Sequence, residues 1–251
     1  MSMNREESPR LFRLDETDST NNYLRKLLAE GRVPEGSVVV TRNQTAGRGQ
    51  VGNSWESEPG KNLTFSMVIY PDFILSNQQF TISQAVSLAV KELLDEYVSD
   101  VSVKWPNDIY WRDRKICGIL IENDLLGSYI SQSIIGIGIN VNQTVFRSDA
   151  PNPVSLSQIT GDVYDLDKLL DRFMCLFFKH YVKIVKGELL SLRQDYFHSL
   201  YRKDGYFPYK DENGEFNARI DAVEPSGHLI LEEKSGAKRR YAFKEVSFIL
   251  R

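Results

Sequence analysis

The chain has 251 residues and a formal net charge of −3, with 41% hydrophobic and 26% charged residues. That length holds one large domain, or a large one with a small companion, and it can bury a real core. The balance of charge leaves no nucleic-acid footprint, no apolar run reaches the length of a bilayer span, and the polar N-terminus lacks a signal core.

Leu11 to Leu14 is a short strand candidate. Asp18-Ser19-Thr20 then supplies N-cap chemistry for a helix carrying Leu24, Leu27 and Leu28 on one face, with Gly31 placed to end it. Ser37 to Thr41 predicts a buried strand, and Leu63 to Tyr70 a second one stopped by Pro71. Apolar residues from Phe80 to Tyr97 fall at helical spacing, and Val101, Val103 and Trp105 alternate as in a half-buried strand. Ile109 to Trp111 and Ile116 to Ile121 predict strands around a turn at Arg112-Asp113-Arg114. Asp165 to Lys186 is an amphipathic helix, and Leu189 to Tyr201 predicts another. After Gly205, short alternating runs at 216–223, 228–232, 240–243 and 246–250 are separated by Asn213-Gly214, Pro225-Ser226-Gly227 and Ser235-Gly236. They predict a small all-β module. Cys117 and Cys175 both lie in apolar stretches and read as buried thiols of a reducing compartment, so a cytoplasmic protein is expected.

Two stretches stand apart from this regular patterning. Asn43 to Trp55 holds Gly47, Gly49 and Gly52 around Arg48, without a helical or strand period. Glycine permits close backbone approach, so the segment suits a loop that wraps a small ligand; an ordinary surface loop is the plainer explanation. No Gly-Lys-Ser/Thr follows, and the loop opens no helix, so it is neither a P-loop nor a dinucleotide fingerprint. In the strand 134–142, Ile135, Ile137, Ile139 and Val141 share one face, while Gly136, Gly138, Asn140 and Asn142 share the other. A face of glycines and amides leaves room for a ligand against the backbone, or for a helix packed tightly on the glycines.

Further polar groups break the apolar pattern. Ser19-Thr20-Asn21 opens the first helix, where free N–H groups favour an anion, though plain capping explains it too. Lys104-Trp105-Pro106-Asn107-Asp108 packs a cation, an amide and a carboxylate about a proline. Lys115 precedes a buried strand. His180, His198 and His228 show no metal-ligand spacing, and no nucleophile–base pair is legible. Cations, amides and glycines without a nucleophile suit an enzyme that positions two substrates and stabilises phosphate charge.

Taken in order, these groups resemble the catalytic core of the biotin protein ligases. The matching motifs are Ser19 to Asn21, the Gly-Arg-Gly-x-x-Gly-x-x-Trp loop from Gly47 to Trp55, and Lys104 to Asp108. Lys115 with Gly118 to Glu122, and Gly136 to Asn142, complete the set. Glu245-Val246-Ser247 is similar to the family's closing motif, so the resemblance runs from about Leu11 onward. It implies an α+β fold, with a mixed sheet flanked by helices as in class II aminoacyl-tRNA synthetases and the biotin–lipoate ligases. A catalytic domain over 1–203 would be followed by a small SH3-like β-barrel over 204–251.

The implied chemistry has two steps. Biotin and ATP form biotinyl-5′-AMP and pyrophosphate; a lysine of a biotin carboxyl carrier protein then attacks the activated carbonyl and releases AMP. By resemblance, Ser19, Thr20, Asn21, Gln44, Arg48, Gly49, Gln50, Lys115, Gly118, Gly136 and Gly138 would contact biotin. Gly52, Trp55, Asn107, Asn140 and Asn142 would serve ATP or the adenylate, and Arg48, Lys104 and Lys115 would carry the catalysis. Mg²⁺ would arrive with ATP rather than at a dedicated protein site. The family includes monomers and homodimers.

Two departures stand out. Many members have two arginines where this chain has Gln50 and Val51, so looser retention of the adenylate is expected. Only about ten residues precede the first strand, too few for the DNA-binding domain of repressor members, so a ligase without that function is expected. The alternatives are a lipoate–protein ligase, a non-catalytic biotin or carrier-binding protein, and a transcriptional regulator. The glycine loop is expected to order around its ligand.

Overall fold

The computed structural model describes residues 8–50, 53–148 and 152–250. In chain order it begins with β1 (Leu11–Thr17), α1 (Thr20–Glu30), β2 (Val38–Gln44) and β3 (Leu63–Ile69). α2 (Phe80–Asp95), β4 (Val101–Lys104), β5 (Asp108–Trp111), β6 (Arg114–Leu126) and β7 (Tyr129–Ile139) come next. The periodicity predicts a strand ending at Ile121 and another starting at Ile134. Instead both continue to a turn at Gly127-Ser128, where Gly127 takes a φ of +61° that favours glycine. The apolar pattern does not predict α3 (Leu156–Thr160), though its capping box of Ser155 and Gln158 is a readable start signal. α4 (Leu166–Val185) and α5 (Leu189–His198) lie where the apolar stripes put them. β8 (Phe207–Asp211), β9 (Gly214–Val223), β10 (Leu229–Glu233), β11 (Lys238–Tyr241) and β12 (Ser247–Phe248) complete the chain.

The chain divides into two compact units. The first takes in the chain up to Ser76 together with Arg114–Arg172; the second takes in Asn77–Asp113 and the chain from Phe173 onward. In the first unit the strands lie in the order β1-β2-β3-β7-β6. β1 pairs parallel with β2 and the other neighbours pair antiparallel, so the sheet is mixed. The crossover between β1 and β2 is α1, as a parallel connection requires. Leu24 of α1 packs into a buried cluster with Val39, Val68 and Ile134, and Leu27 and Leu28 lie against it. Every residue of β3 is buried, which explains its unbroken apolar texture.

Strand register sets the shape of one face of this sheet. Gly136 of β7 lies between Ser66 of β3 and Leu120 of β6, and Gly138 lies between Thr64 and Gly118. The α1 side of the sheet therefore has a floor nearly bare of side chains, directly beyond the point where the helix begins.

The second unit packs α2 against α5, with Phe80 and Tyr196 edge to face at 5.5 Å. Phe173, Phe177 and Tyr181 of α4 stack in sequence. The predicted small β module is present as a separate antiparallel sheet, with five strands among the described residues in the order β11-β10-β9-β8-β12. The alternating runs do not predict β8, because Pro208 argues against an interior strand. Cys117 is buried as expected, but Cys175 is exposed. It falls off the Phe173–Phe177 stripe of α4, and the local apolar composition hides that. Among the described residues no helix is long and apolar enough to cross a membrane.

Candidate active site

The first unit's bare floor is covered by two groups of side chains. The first sits at the start of α1. Ser19 holds the N-cap position in extended backbone, but its side chain makes no capping hydrogen bond. The cap is built by neighbours instead. Asp18 accepts from the Ser19 N–H at 2.8 Å and from Asn22 at 2.9 Å, and these bonds hold its carboxyl below the ordinary carboxylate range. Gln44, at the end of β2, accepts the Thr20 N–H through Oε1 at 2.8 Å, with the Thr20 hydroxyl 3.2 Å from the same oxygen. One of the orphan N–H groups of the helix is thereby tied to a residue singled out for binding.

Asn21 lies flat on Gly136. A Cβ built there would stand 2.3 Å from Asn21 Oδ1, so only glycine leaves room. The Asn21 Oδ1 is 2.5 Å from the Ser66 hydroxyl, whose other neighbour is Thr20 Oγ1 at 2.7 Å. Its Nδ2 donates to Glu122 Oε2 at 2.8 Å. Thr20, Asn21 and Ser66 are all buried. At Gly136, then, the tight packing of a helix start is what fills the glycine.

The second group covers Gly118 and Gly138. The Trp55 indole lies in contact with both. A Cβ at Gly138 would be 2.3 Å from Cε2 and 2.5 Å from Nε1 of that ring, and one at Gly118 would be 2.9 Å from Cζ3. The same Gly118 position is 3.4 Å from Cε of Lys115, so the lysine stem and the indole share the floor. The Trp55 Nε1 is buried without a hydrogen-bond partner. The main chain of Lys115 is fixed between Asn152 O, which accepts its N–H, and the Val154 N–H, which its carbonyl accepts.

Between the two groups runs the glycine loop, which forms a small hairpin. Arg48 and Ser54 bridge, Gly49 N donates to Asn53 O, and Trp55 N donates to Gly47 O. Gly47 is needed because a Cβ there would meet the Trp55 carbonyl at 2.4 Å. The hairpin is rooted by Thr45 N to Thr17 O and Ala46 N to Asp18 O. Arg48 reaches Glu122 through both terminal nitrogens, at 3.2 and 2.9 Å. Val51 and Gly52 lie outside the described residues.

Beyond Gly138, Asn140 donates to Val154 O at 3.1 Å, while its Oδ1 is buried without a partner. That oxygen is an acceptor waiting for a donor. Asn142 is engaged differently. It donates to Tyr164 O at 2.8 Å and accepts from Tyr164 N and Ser157 Oγ, both at 2.9 Å, so both ends of its amide hold the chain ahead of α4. Lys104 and Asn107 belong to the second unit. Lys104 Nζ lies 5.2 Å from the ring centroids of both Tyr110 and Phe248. Asn107 is buried, and its neighbour Trp105 donates to Gly227 O at 2.9 Å.

Three residues have no legible role in the sequence. Ser66 hides in a fully buried strand, and only the register reveals it. Glu122 lies in a recognised motif without an assigned partner. Glu56 accepts from Arg147 N and Ser148 N, with its closest contact 2.7 Å, and from Gln143 Nε2 at 3.2 Å. It pins the exit of the glycine loop to the segment after β7. Burial pushes the Glu56 carboxyl up, but hydrogen bonds from Ser148, Arg147 and Gln143 outweigh it and leave it below the ordinary value. A depressed pKa means stability present above about pH 4.5 and lost as pH falls through the folded value. Glu56→Gln is expected to lower stability at pH 7 by about 1–2 kcal/mol, after allowing for partial exposure. The difference from wild type should shrink toward acid, and urea melts at pH 7 and pH 3.5 check both.

Amides and hydroxyls stand over Gly136 and a lysine stands beside Gly118, opposite Gly138 and one alternation along the strand. The arrangement puts hydrogen-bonding groups at one end of this face of β7 and a cation at the other, with the Trp55 ring between them. Comparison with known proteins gives the family. Residues 14–140 match the model described as the biotin/lipoate A/B protein ligase family. The chain is 31% identical over 222 residues to the bifunctional ligase/repressor BirA of Bacillus subtilis, covering 86% of this chain and 67% of that protein. It is 27% identical over 229 residues to the biotin–[acetyl-CoA-carboxylase] ligase of Paracoccus denitrificans, covering 89% and 94%. The biotin protein ligase from Aquifex aeolicus in complex with biotin and ATP matches with a TM-score of 0.78 at 26% identity, covering 95% of this chain and 97% of that one. This chain belongs to the biotin/lipoate A/B protein ligase family.

Proposed function

We propose that this protein is an ATP-dependent biotin protein ligase. It joins biotin and ATP as biotinyl-5′-AMP, releasing pyrophosphate, and then transfers the biotinyl group to a lysine of a biotin carboxyl carrier protein. The observation that carries this reading is the hydrogen-bonded cluster of Thr20, Asn21, Gln44 and Ser66, with Asn21 against Gly136, together with Lys115 beside Gly118. The ureido ring of biotin offers two N–H donors and a carbonyl, and it suits the hydroxyl and amide cluster. Its side chain ends in a carboxylate, which suits the lysine.

The residues divide the work accordingly. Ser19, Thr20, Asn21 and Gln44 orient the bicyclic head, Gly136 seats Asn21 against the sheet for that contact, and Gly118 and Gly138 leave the ligand room beside it. Lys115 stabilises negative charge as the carboxylate attacks the α-phosphate. Arg48 faces the anion from the loop, beside Gly49 and Gln50. Trp55 and the Asn140 Oδ1 serve the base of the nucleotide, which fits an unpartnered acceptor and an aromatic face. Lys104 and Asn107 are assigned to the phosphates. Mg²⁺ enters as the ATP complex, held by the triphosphate and water. The loop shields the mixed anhydride from hydrolysis, as an activated acyl group requires. The catalytic work is assigned to residues 1–203, and residues 204–251 form an accessory SH3-like module.

Acid-dependent ATP–pyrophosphate exchange tests the proposal, with biotin, lipoate and octanoate run in parallel. Exchange with biotin alone is expected. Exchange with lipoate or octanoate instead would move the chain to the sister activity. Biotin binding without exchange would make it a binding protein.

A further inference from the structure

Glu122 touches neither substrate in the proposed reaction, yet it joins two of the residues that do. It lies on the same face of β6 as Gly118, with its side chain 25% exposed. One carboxylate accepts from Arg48 Nη1 at 3.2 Å, Arg48 Nη2 at 2.9 Å and Asn21 Nδ2 at 2.8 Å. An exposed ion pair is ordinarily worth little, because two long side chains must be ordered to make it. Here that cost is reduced. Asn21 is 3% exposed and already fixed by Ser66, so it orients the carboxylate from behind. The guanidinium meets it with two nitrogens, in the fork geometry that sets its plane.

We infer that Glu122 is the positioning residue of the glycine loop: it holds Arg48, and through it the bridged stretches 47–50 and 53–55, against β6. The inference rests on the ligase reading for its substrates, but not for its geometry. Two of the guanidinium nitrogens face Glu122, so Nε and the outer N–H groups are the ones left to meet an anion. The same carboxylate fixes Asn21 with its Nδ2 turned away from Ser66. Removing the charge loosens Arg48 and its part of the loop, while the roots at Thr45 and Ala46 and the Ser66 contact of Asn21 remain.

The test uses the full-length protein with Glu122→Gln and the shorter Glu122→Asp. Without ligand, trypsin cleavage after Arg48, measured by mass spectrometry, is expected to speed up about tenfold in Glu122→Gln. Release of biotinyl-5′-AMP formed in a single turnover should accelerate by a similar factor. The KM for biotin should rise by more than kcat for exchange falls, because Lys115 is untouched and Arg48 is loosened but not removed. Glu122→Asp should recover part of each effect. Unchanged cleavage and unchanged release in Glu122→Gln would overturn the inference. So would a parallel loss of kcat and melting temperature without the split, since that marks a merely structural residue. A wild type that makes no adenylate would sink the ligase reading alone, and the trypsin comparison would still decide the role of Glu122.

Discussion

Lys115→Ala is expected to cut biotin-dependent ATP–pyrophosphate exchange by about 10²–10³-fold, or some 3–4 kcal/mol of transition-state stabilisation. The size reflects where the charge lies. When a carboxylate attacks an α-phosphate, negative charge gathers on the bridging oxygens. Lys115 stands beside a floor of glycine backbone, with its stem against the Gly118 position. Its main chain is locked by Asn152 and Val154, so the ammonium acts from a fixed root. A pre-set cation gains more than a mobile one, because nothing reorganises at the moment of reaction. The side chain is only partly buried, and truncation leaves the strand pairing of Ile116 and Cys117 in place. The melting temperature should therefore stay within about 2–3 °C of wild type. Exchange assays beside thermal melts check both. Exchange within threefold of wild type would remove Lys115 from the chemistry.

Gly138→Val separates function from stability in the other direction. Gly138 has no strained backbone, and valine favours a strand, so the sheet should accept it with a change in stability of about 1 kcal/mol or less. The floor should not accept it. The added Cβ would stand 2.3–2.6 Å from three atoms of the Trp55 indole, so the ring must leave. The valine then fills the strip between Thr64 and Gly118 that the ligand needs. A fall in kcat/KM for ATP of about 100-fold or more is expected, with a normal melt, as when a reacting group is displaced by about an ångström. Steady-state exchange at varied ATP measures it. Retained activity would mean that the ligand does not run over Gly138.

Much of the site is legible from residue patterns. The alternation of isoleucine and glycine over 135–139 needs only the period of a strand, and the structure keeps it; β7 ends at Ile139, so Asn140 and Asn142 lie beyond the strand whose face the pattern assigns them. Of the two explanations for the glycines, helix packing holds at Gly136, and Gly138 is covered by a loop side chain that neither explanation names. Gly136 is filled by the start of a helix, while Gly138 lies under an aromatic ring from the loop. The parts that are not legible are the ones set by register. Ser66 reads as one small residue in an apolar strand until β3 is laid beside β7 and the hydroxyl comes to face Gly136. Glu56 bonds to backbone 91 residues away, and no local pattern records a partner that has no side-chain identity. Asn140 and Asn142 look equivalent in sequence. Their different uses depend on Val154 and Tyr164, supplied by a segment whose path the pattern of β7 does not set.

The Trp55 ring has one more consequence, an optical one. The chain holds three tryptophans. Trp105 keeps its N–H bonded to a carbonyl, and Trp111 lies beneath the Arg112 guanidinium. Trp55 alone rests on the glycine floor, and its Nε1 meets no acceptor. Indole emission responds to the polarity and hydrogen bonding around that N–H. A molecule that enters the strip must move the ring or stack on it, so occupancy of the proposed site is expected to change the colour of the protein's own emission, without an added dye.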